Sequence, residues 1–320
     1  MFKTKLFLAR FMSKINRSRP GQKAGTLALD MIDSFDQYKK HEKASSYEYI
    51  HRSQMEKQLE GPRNGFHTSG YCYVCNRKVN FYTNFTYALA DAEGNQKPNW
   101  REHLRCPSCG LNNRMRAAIQ IFEQVCVPQI GDAIYISEQK TPLFGWLVQN
   151  YQNVSGSEYL GGKIPYGHRD KDGIRNETLT ELTFSDNSFN YILSFDVFEH
   201  IPDYLPAFRE CLRCLKPGGV LVFSVPFQRN SDMTIVRARV LPNGEVENIL
   251  PPEYHGDPLN SEGVLCFYHF GWDLLYQLRT IGFTSATSQL YWSRELGYLG
   301  REQIIFMAKK SKSDALVSMR

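Results

Sequence analysis

A chain of 320 residues with 42 % hydrophobic and 22 % charged residues holds enough apolar material for one large domain and a smaller one, which excludes a fibrous or wholly disordered protein. The formal net charge of +5 resides in residues 1–60, where 12 Lys/Arg face 7 Asp/Glu; the neutral remainder argues against a nucleic-acid-binding body, which would carry a basic face. Eight cysteines are too few for a disulfide scaffold, and with no export signal they point to a reducing cytoplasm, where closely spaced cysteines favour metal over disulfide.

The chain opens on seven Lys/Arg between Lys3 and Lys23, before the first acid, Asp30. Such an arm reads as a solvated terminus or as a docking arm for a membrane surface, nucleic acid or an acidic partner. Leu6–Met12 is apolar but interrupted by Arg10 and far shorter than a membrane span. Residues 24–60, rich in helix formers and free of proline, predict helix up to the stop signal Gly61-Pro62. Residues 1–66 are therefore expected to form a basic, helical N-terminal extension.

Two cysteine pairs follow: Cys72 with Cys75, and Cys106 with Cys109, each C-x2-C and each beside turn residues (Asn76; Pro107, Ser108 and Gly110). A tight turn aims two thiolates at one point, and two such knuckles complete a tetrahedron around Zn²⁺. The β-prone stretch between them reads as strands of a zinc ribbon, so residues 67–128 are expected to form a four-cysteine module with a linking helix. A closed four-cysteine site is structural and leaves no open position for chemistry. A third C-x2-C, Cys211 and Cys214, lies in a helical pattern marked by Leu205, Phe208, Leu212 and Leu215, and reads as core. Cys126 and Cys266 are single cysteines without visible basic activation, and no role follows for them.

From residue 129 onward strands and helices alternate. Residues 133–137 and 154–160 read as strands, 173–177 as a third short strand, 189–196 as a fourth, and "VLVFSVPF" and "EQIIFMAKK" as later ones. Helical patterns fall at 142–151, 203–215 and 270–283. Such alternation argues for an α/β domain with a mostly parallel sheet covered on both faces, and ligands there bind beyond the carboxyl ends of the strands. Pro217 stops the preceding helix, Gly218-Gly219 permits a tight reversal, and Asp203 suits the N-cap of the 203–215 helix. Residues 228–269 form an insertion with a Pro-Asn-Gly hairpin signal, followed by the polar cluster Glu253, Tyr254, His255 and Asp257 and then His269.

The stretch 182–227 resembles class I S-adenosylmethionine-dependent methyltransferases of the type 11 group. Leu182, Phe184, Asp186, Ser188 and Phe189 match the family phrase leading into the fourth strand, Glu199-His200 the pair after it, and Leu215–Gly219 the L-K-P-G-G before the fifth; Asn190 replaces a family aspartate. The resemblance, weaker over about 131–310, implies a doubly wound, mostly parallel, seven-stranded Rossmann-like sheet over residues 129–320. It also implies an S-adenosyl-L-methionine cofactor. Carried over residue by residue, it places Ser137 and Glu138 (with Thr141) at the cofactor's amino-acid part, Glu158 on the ribose hydroxyls, and Glu177 or Thr178 at the adenine. Ser194 and Phe195 then line the pocket. The family's glycine-rich first loop is here "IYISEQKTPLFGWL", with no glycine before Gly145, so the loop either holds cofactor in a modified way or has lost it.

Methyl transfer from a sulfonium needs in-line alignment and often proton removal, but no metal. His200, at the mouth of the expected site, is the candidate catalytic base, or else only orients the adjoining helix with Glu199. Tyr254, His255, Asp257 and His269 are candidate substrate contacts, or an ordered surface loop. The resulting expectation is a methyltransferase with a structural zinc module, acting on a small or glycan-like acceptor. Its rivals are a non-catalytic scaffold of the same fold and an RNA-modifying enzyme gripping its substrate through ribbon and arm.

Overall fold

The structure, a computed structural model, describes residues 25–90, 94–256 and 262–312. The described chain divides into two compact units. One holds residues 25–28, Glu56–Pro128 and Trp292–Gly300; the other holds Leu29–Met55, Gln129–Tyr291 and residues 301–312. The basic arm up to Lys23 and its apolar stretch Leu6–Met12 lie outside the described residues.

The first elements are a strand, β1 (Asp30–Ile32), and two helices, α1 (Phe35–Ala44) and α2 (Ser46–Leu59). The expected uninterrupted helix over 24–60 is thus corrected at its start. Residues 30–32 pair antiparallel with a late strand, Ile32 is buried, and its carbonyl accepts from the Ser288 hydroxyl at 3.0 Å. Of the described residues in that region, Leu29–Met55 belong to the second unit and Glu56 onward to the first. Tyr38 stacks on Trp272 at 5.1 Å, and Glu302, 2 % exposed, accepts from Tyr49 at 2.7 Å and from Arg52 at 3.3 Å. Helix α2 ends before Gly61-Pro62, as their chemistry requires.

In the first unit, β2 (Phe66–Cys72) and β3 (Arg77–Thr83) form a hairpin in unbroken register from Phe66↔Thr83 to Cys72↔Arg77. Tyr82 and Arg105 exchange two backbone hydrogen bonds, laying the second cysteine pair beside the first. A small ladder, β4 (Leu89–Ala90) with β5 (Gln96–Lys97), precedes the short helix α3 (Trp100–His103). Helix α4 (Asn113–Ile121) is capped by Asn112, whose side chain accepts from the Met115 amide at 2.9 Å. Arg116 on α4 is fully buried: its guanidinium donates to the carbonyls of Leu296 (2.8 Å) and Gly297 (3.0 Å) and lies 4.0 Å from the Phe81 ring centre. Gly297 has φ +64°, and a Cβ there would stand 2.6 Å from the Phe81 ring.

The second unit is built on a seven-stranded sheet. Its strands are β1, β6 (Ala133–Ile136), β7 (Asn153–Gly156), β8 (Phe189–Phe195), β9 (Leu215–Ser224), β16 (Ser285–Ser293) and β17 (Tyr298–Lys309), in the order β1-β16-β17-β9-β8-β6-β7. The helices of this region are α5 (Pro142–Asn150), α6 (Tyr204–Cys214) and α7 (Asp273–Ile281). β7, β6, β8 and β9 run parallel, but β17 is antiparallel to β9 and β1 to β16. The sheet is therefore mixed, not mostly parallel. Residues 173–177 do not form the expected third strand: a single bridge joins Glu158 to Asn176, and Asn176 spends its side chain on loop carbonyls and the Leu160 amide. The seventh strand comes from β1 at the opposite edge.

The core of this unit is apolar and continuous, with Tyr135, Ile192, Phe208, Phe223, Leu278 and Phe306 buried in it. Cys211 and Cys214 belong to it; burial pushes the Cys214 thiol up to about 11 and Cys211 higher still, consistent with packing groups. Asp203 occupies the N-cap position of α6 but makes no side-chain cap. Pro217-Gly218-Gly219 bulges β9 out of register between Leu215 and Val220, and a Cβ on Gly219 would meet the Asn190 carbonyl at 3.0 Å. The described residues of 228–269 include short ladders: β10 (Ile235–Val236), β11 (Ala238–Val240), β12 (Val246–Asn248), β13 (Tyr254–His255), β14 (Val264–Leu265) and β15 (Tyr268–His269). The Pro-Asn-Gly signal makes the β11–β12 hairpin. Among the described residues no helix is long and apolar enough to cross a membrane.

Candidate functional site

The parallel strands deliver their carboxyl ends to one edge of the sheet. Just past β6 the Ser137 hydroxyl donates to Ser194 on β8 (2.8 Å), and just past β9's partner strand the Asp196 carboxylate accepts from Ser224 (2.8 Å). Ser194 and Phe195 are buried. Past β7, one carboxylate oxygen of Glu158 accepts from the backbone amides of Gln139 and Lys140, both at 2.7 Å. The glycine-poor loop after β6 is thus pinned to Glu158, while the Gln139 side chain ties it to Gly173 and Arg175. Glu138 is half-buried, and its carbonyl lies 3.0 Å from where a Cβ on Gly156 would stand. Thr141 caps α5 by accepting from the Phe144 amide at 3.2 Å, and the Phe144 ring packs over Gly156, which has no room for a side chain.

Glu177 is placed differently from expectation. It is buried, pairs with Arg175 at 2.7 Å and accepts from the Thr183 amide and hydroxyl at 3.1 and 2.6 Å. Both its oxygens are committed to protein donors. Thr178 bonds Thr180. Glu177 is therefore not offered to a ligand in this arrangement.

A second group gathers after β8, where Glu199-His200 meets the 228–269 insertion. Glu199 is fully buried, and neither of its carboxylate oxygens has a hydrogen-bond donor among the described residues. Its Oε1 lies 3.6 Å from His200 Nε2 and 3.5 Å from His255 Nδ1. His200 Nδ1 lies 2.8 Å from the Leu265 carbonyl, so Nδ1 is the donor there and Nε2 is the nitrogen that faces Glu199. His255 Nε2 and His269 Nε2 both reach Glu253 Oε1, at 3.0 and 3.1 Å, and Arg237 pairs with the other oxygen of Glu253 at 3.2 Å. Burial raises the Glu199 carboxyl, opposed by His255; His255 is pushed up to about 11 by Cys266 first and by Glu199 next. Cys266, to which the sequence assigned no role, lies within 4.8 Å of the Glu253 and His255 ligand atoms. Tyr254 is 59 % exposed and stands apart, and Asp257 lies outside the described residues. Sequence reasoning found His200, His255 and His269 but treated Glu199 only as a helix-orienting neighbour. Its signal was its place between a buried strand end and a histidine.

In the first unit the four cysteines converge, their sulfurs all within 4.8 Å of one another. Cys72 Sγ is 3.9 Å from Cys109 Sγ, and Cys75 Sγ is 3.7 Å from Cys106 Sγ. Four sulfurs about 2.3 Å from one zinc ion would stand about 3.8 Å apart. Each pair is closed by a left-handed residue, Asn76 (φ 53°) and Gly110 (φ 73°), and the Ser108 amide points at Cys106 Sγ from 3.4 Å. His67 and His103 are not part of the cluster.

Residues 145–223, from within α5 to β9, match the family model described as a methyltransferase domain, a stretch that includes the parallel strands β7, β8 and most of β9. The demethylmenaquinone methyltransferase of Staphylococcus aureus (strain JH9) is 35 % identical over 74 residues, 22 % of this chain and 31 % of that protein. The chain thus spans about a third of the curated relatives it matches. Among solved structures, a 1,6-didemethyltoxoflavin-N1-methyltransferase of Burkholderia thailandensis with bound S-adenosylhomocysteine is similar at 17 % identity and a TM-score of 0.38, over 62 % of this chain and 78 % of that one. An S-adenosylmethionine dependent methyltransferase of Mesorhizobium loti is similar at 17 % identity and a TM-score of 0.37, over 60 % and 98 %.

Proposed function

We propose that the second unit is an S-adenosylmethionine-dependent methyltransferase for a small or glycan-like hydroxylated acceptor, and that the four cysteines of the first unit hold a structural zinc ion. The observation that carries the enzyme reading is the methyltransferase-domain match over β7, β8 and β9, with Glu158 following β7, Ser194 on β8 bonded to Ser137, and Glu199-His200 following β8. When bound, the cofactor supplies a methyl group already activated on a sulfonium. Glu158 suits a vicinal diol, because a carboxylate offers two acceptors and no donor. It would receive the ribose hydroxyls in exchange for the Gln139 and Lys140 amides. Ser137 and Ser194 border the same edge, while Glu177 holds the 175–183 turn and not the adenine. The acceptor's proton is handled by the histidine group, in which His200 Nδ1 is held by the Leu265 carbonyl and Nε2 is the nitrogen left to act. The insertion that supplies His255 and His269 shapes the acceptor side.

The zinc assignment rests on sulfur spacings that match a tetrahedron and on two left-handed knuckle turns.

Calorimetry with S-adenosylmethionine and S-adenosylhomocysteine tests the enzyme reading. Binding to the full chain is expected, lost in Glu158→Ala and kept in Glu177→Gln. A wild-type chain giving no heat with millimolar ligand overturns the reading. The pinned first loop would then mark a fold kept as a scaffold.

A further inference from the structure

The Glu199–His200–His255 group has a feature that hydrogen bonding does not explain. A fully buried carboxylate faces two imidazole nitrogens at 3.5 and 3.6 Å and receives no hydrogen bond from either. Buried carboxylates without donors are costly and rare. Both nitrogens stand farther from Glu199 Oε1 than the about 2.7–2.9 Å of a charge-assisted hydrogen bond. His200 has already given its Nδ1 proton to the Leu265 carbonyl.

We propose that Glu199, His200 Nε2 and His255 Nδ1 form a binding site for one divalent first-row transition-metal ion of the zinc type, separate from the four-cysteine cluster. Three observations agree. Two ligand atoms about 2.1 Å from a tetrahedral zinc stand about 3.4 Å apart, close to the two spacings seen and well beyond a good hydrogen bond. The ligand set, two histidines and one carboxylate, is that of catalytic sites which keep a position open for water or substrate. Each histidine also has its remaining nitrogen anchored as metal-binding histidines do: His200 Nδ1 to the Leu265 carbonyl at 2.8 Å, and His255 Nε2 to Glu253 at 3.0 Å. Glu253 is itself held by His269 and Arg237. The rings of His200 and His255 meet edge to face, with centres 5.0 Å apart, so the two nitrogens approach one point from different directions.

The site joins two parts of the chain: Glu199-His200 from the end of β8, and His255 from the insertion. A cation there would tie the insertion to the sheet edge. On the methyltransferase reading its open position would take the acceptor's hydroxyl and make it acidic, with the His200 lone pair then committed to the metal. Occupancy of the site does not depend on that reading.

The test is metal stoichiometry on the full chain, purified without chelator and dialysed against cobalt(II) chloride. The expected result is two metal ions per chain by elemental analysis. One sits in the thiolate site; the other gives weak visible d–d absorption with no sulfur-to-cobalt charge-transfer band. His255→Gln and Glu199→Gln are each expected to lose one ion and that visible absorption, and Cys75→Ser to lose the thiolate ion alone. If His255→Gln fails to unfold cooperatively, His200→Asn is read in the same way. One ion per wild-type chain at saturating cobalt, or two in a folded His255→Gln chain, overturns the proposal. Two ions with no cofactor heat would sink the methyltransferase reading and leave this site standing; cofactor heat with one ion would do the reverse.

Discussion

Replacing Arg116 by methionine removes a buried cation while keeping most of its volume. The guanidinium is 0 % exposed and donates at 2.8 and 3.0 Å to two backbone carbonyls, Leu296 and Gly297, with a longer contact of 3.4 Å to Leu104. Hydrogen bonds to a charged group are each worth about 1.5–3 kcal/mol, and the stack on Phe81 adds about 2 kcal/mol when desolvated. Against this stands relief of the guanidinium's own burial, several kcal/mol in the opposite direction. Two carbonyls left without donors tip the balance to a net loss of about 3 kcal/mol. Hydrogen exchange by mass spectrometry reads it locally. Amides in β2, β3 and α4 should exchange faster by about two orders of magnitude, at about 1.4 kcal/mol per decade. Peptides from β6 and β8 should be unchanged. Protection in β2 and β3 within about threefold of wild type, or an equal loss in β6 and β8, would refute the reasoning.

Two further outcomes follow from side chains in the second unit. Arg213 holds the Glu210 carboxyl below its usual 4.5, so the pair's stabilisation is present above about that pH and is lost as pH falls through the lowered native value. Glu210→Gln should therefore lower the thermal midpoint at neutral pH and converge with wild type in acid; a constant difference across that range would contradict the assignment. Cys211→Ala should reduce stability by roughly 1 kcal/mol through a small core cavity while leaving metal content unchanged, measured by urea unfolding and elemental analysis. Loss of metal would return the third cysteine pair to consideration as a ligand site.

What the sequence disclosed was governed by how local its causes are. β6, β8 and β9 and helices α6 and α7 were legible because their apolar periodicity is written in consecutive residues. The cysteine cluster was legible because two short spacings each specify a knuckle. The phrase around Phe184 to Phe189 was legible as a family mark, although its local work is structural: Arg213 donates to the carbonyls of Leu182 and Phe184 and to Asp186, all at 2.8 Å. Residues 173–177 misled because their β-like composition is overruled by the side chain of Asn176, which organises a loop. β1 was hidden because three residues carry no period, and its pairing partner lies more than 250 residues away. The contact of Glu199 with His255 was invisible for a similar reason: the two lie more than 50 residues apart in the chain, with the β11–β12 hairpin between them.

The reach of Arg116 has a consequence for biosynthesis. Its two best acceptors are contributed 180 and 181 residues further along the chain. At about 5–20 residues per second, a ribosome needs roughly 10 to 35 seconds to make that stretch. Throughout that interval, of the three carbonyls that Arg116 contacts in the folded chain, only that of Leu104 has been made. The burial of Arg116 with its full set of acceptors is therefore completed only after residues 296 and 297 have been made.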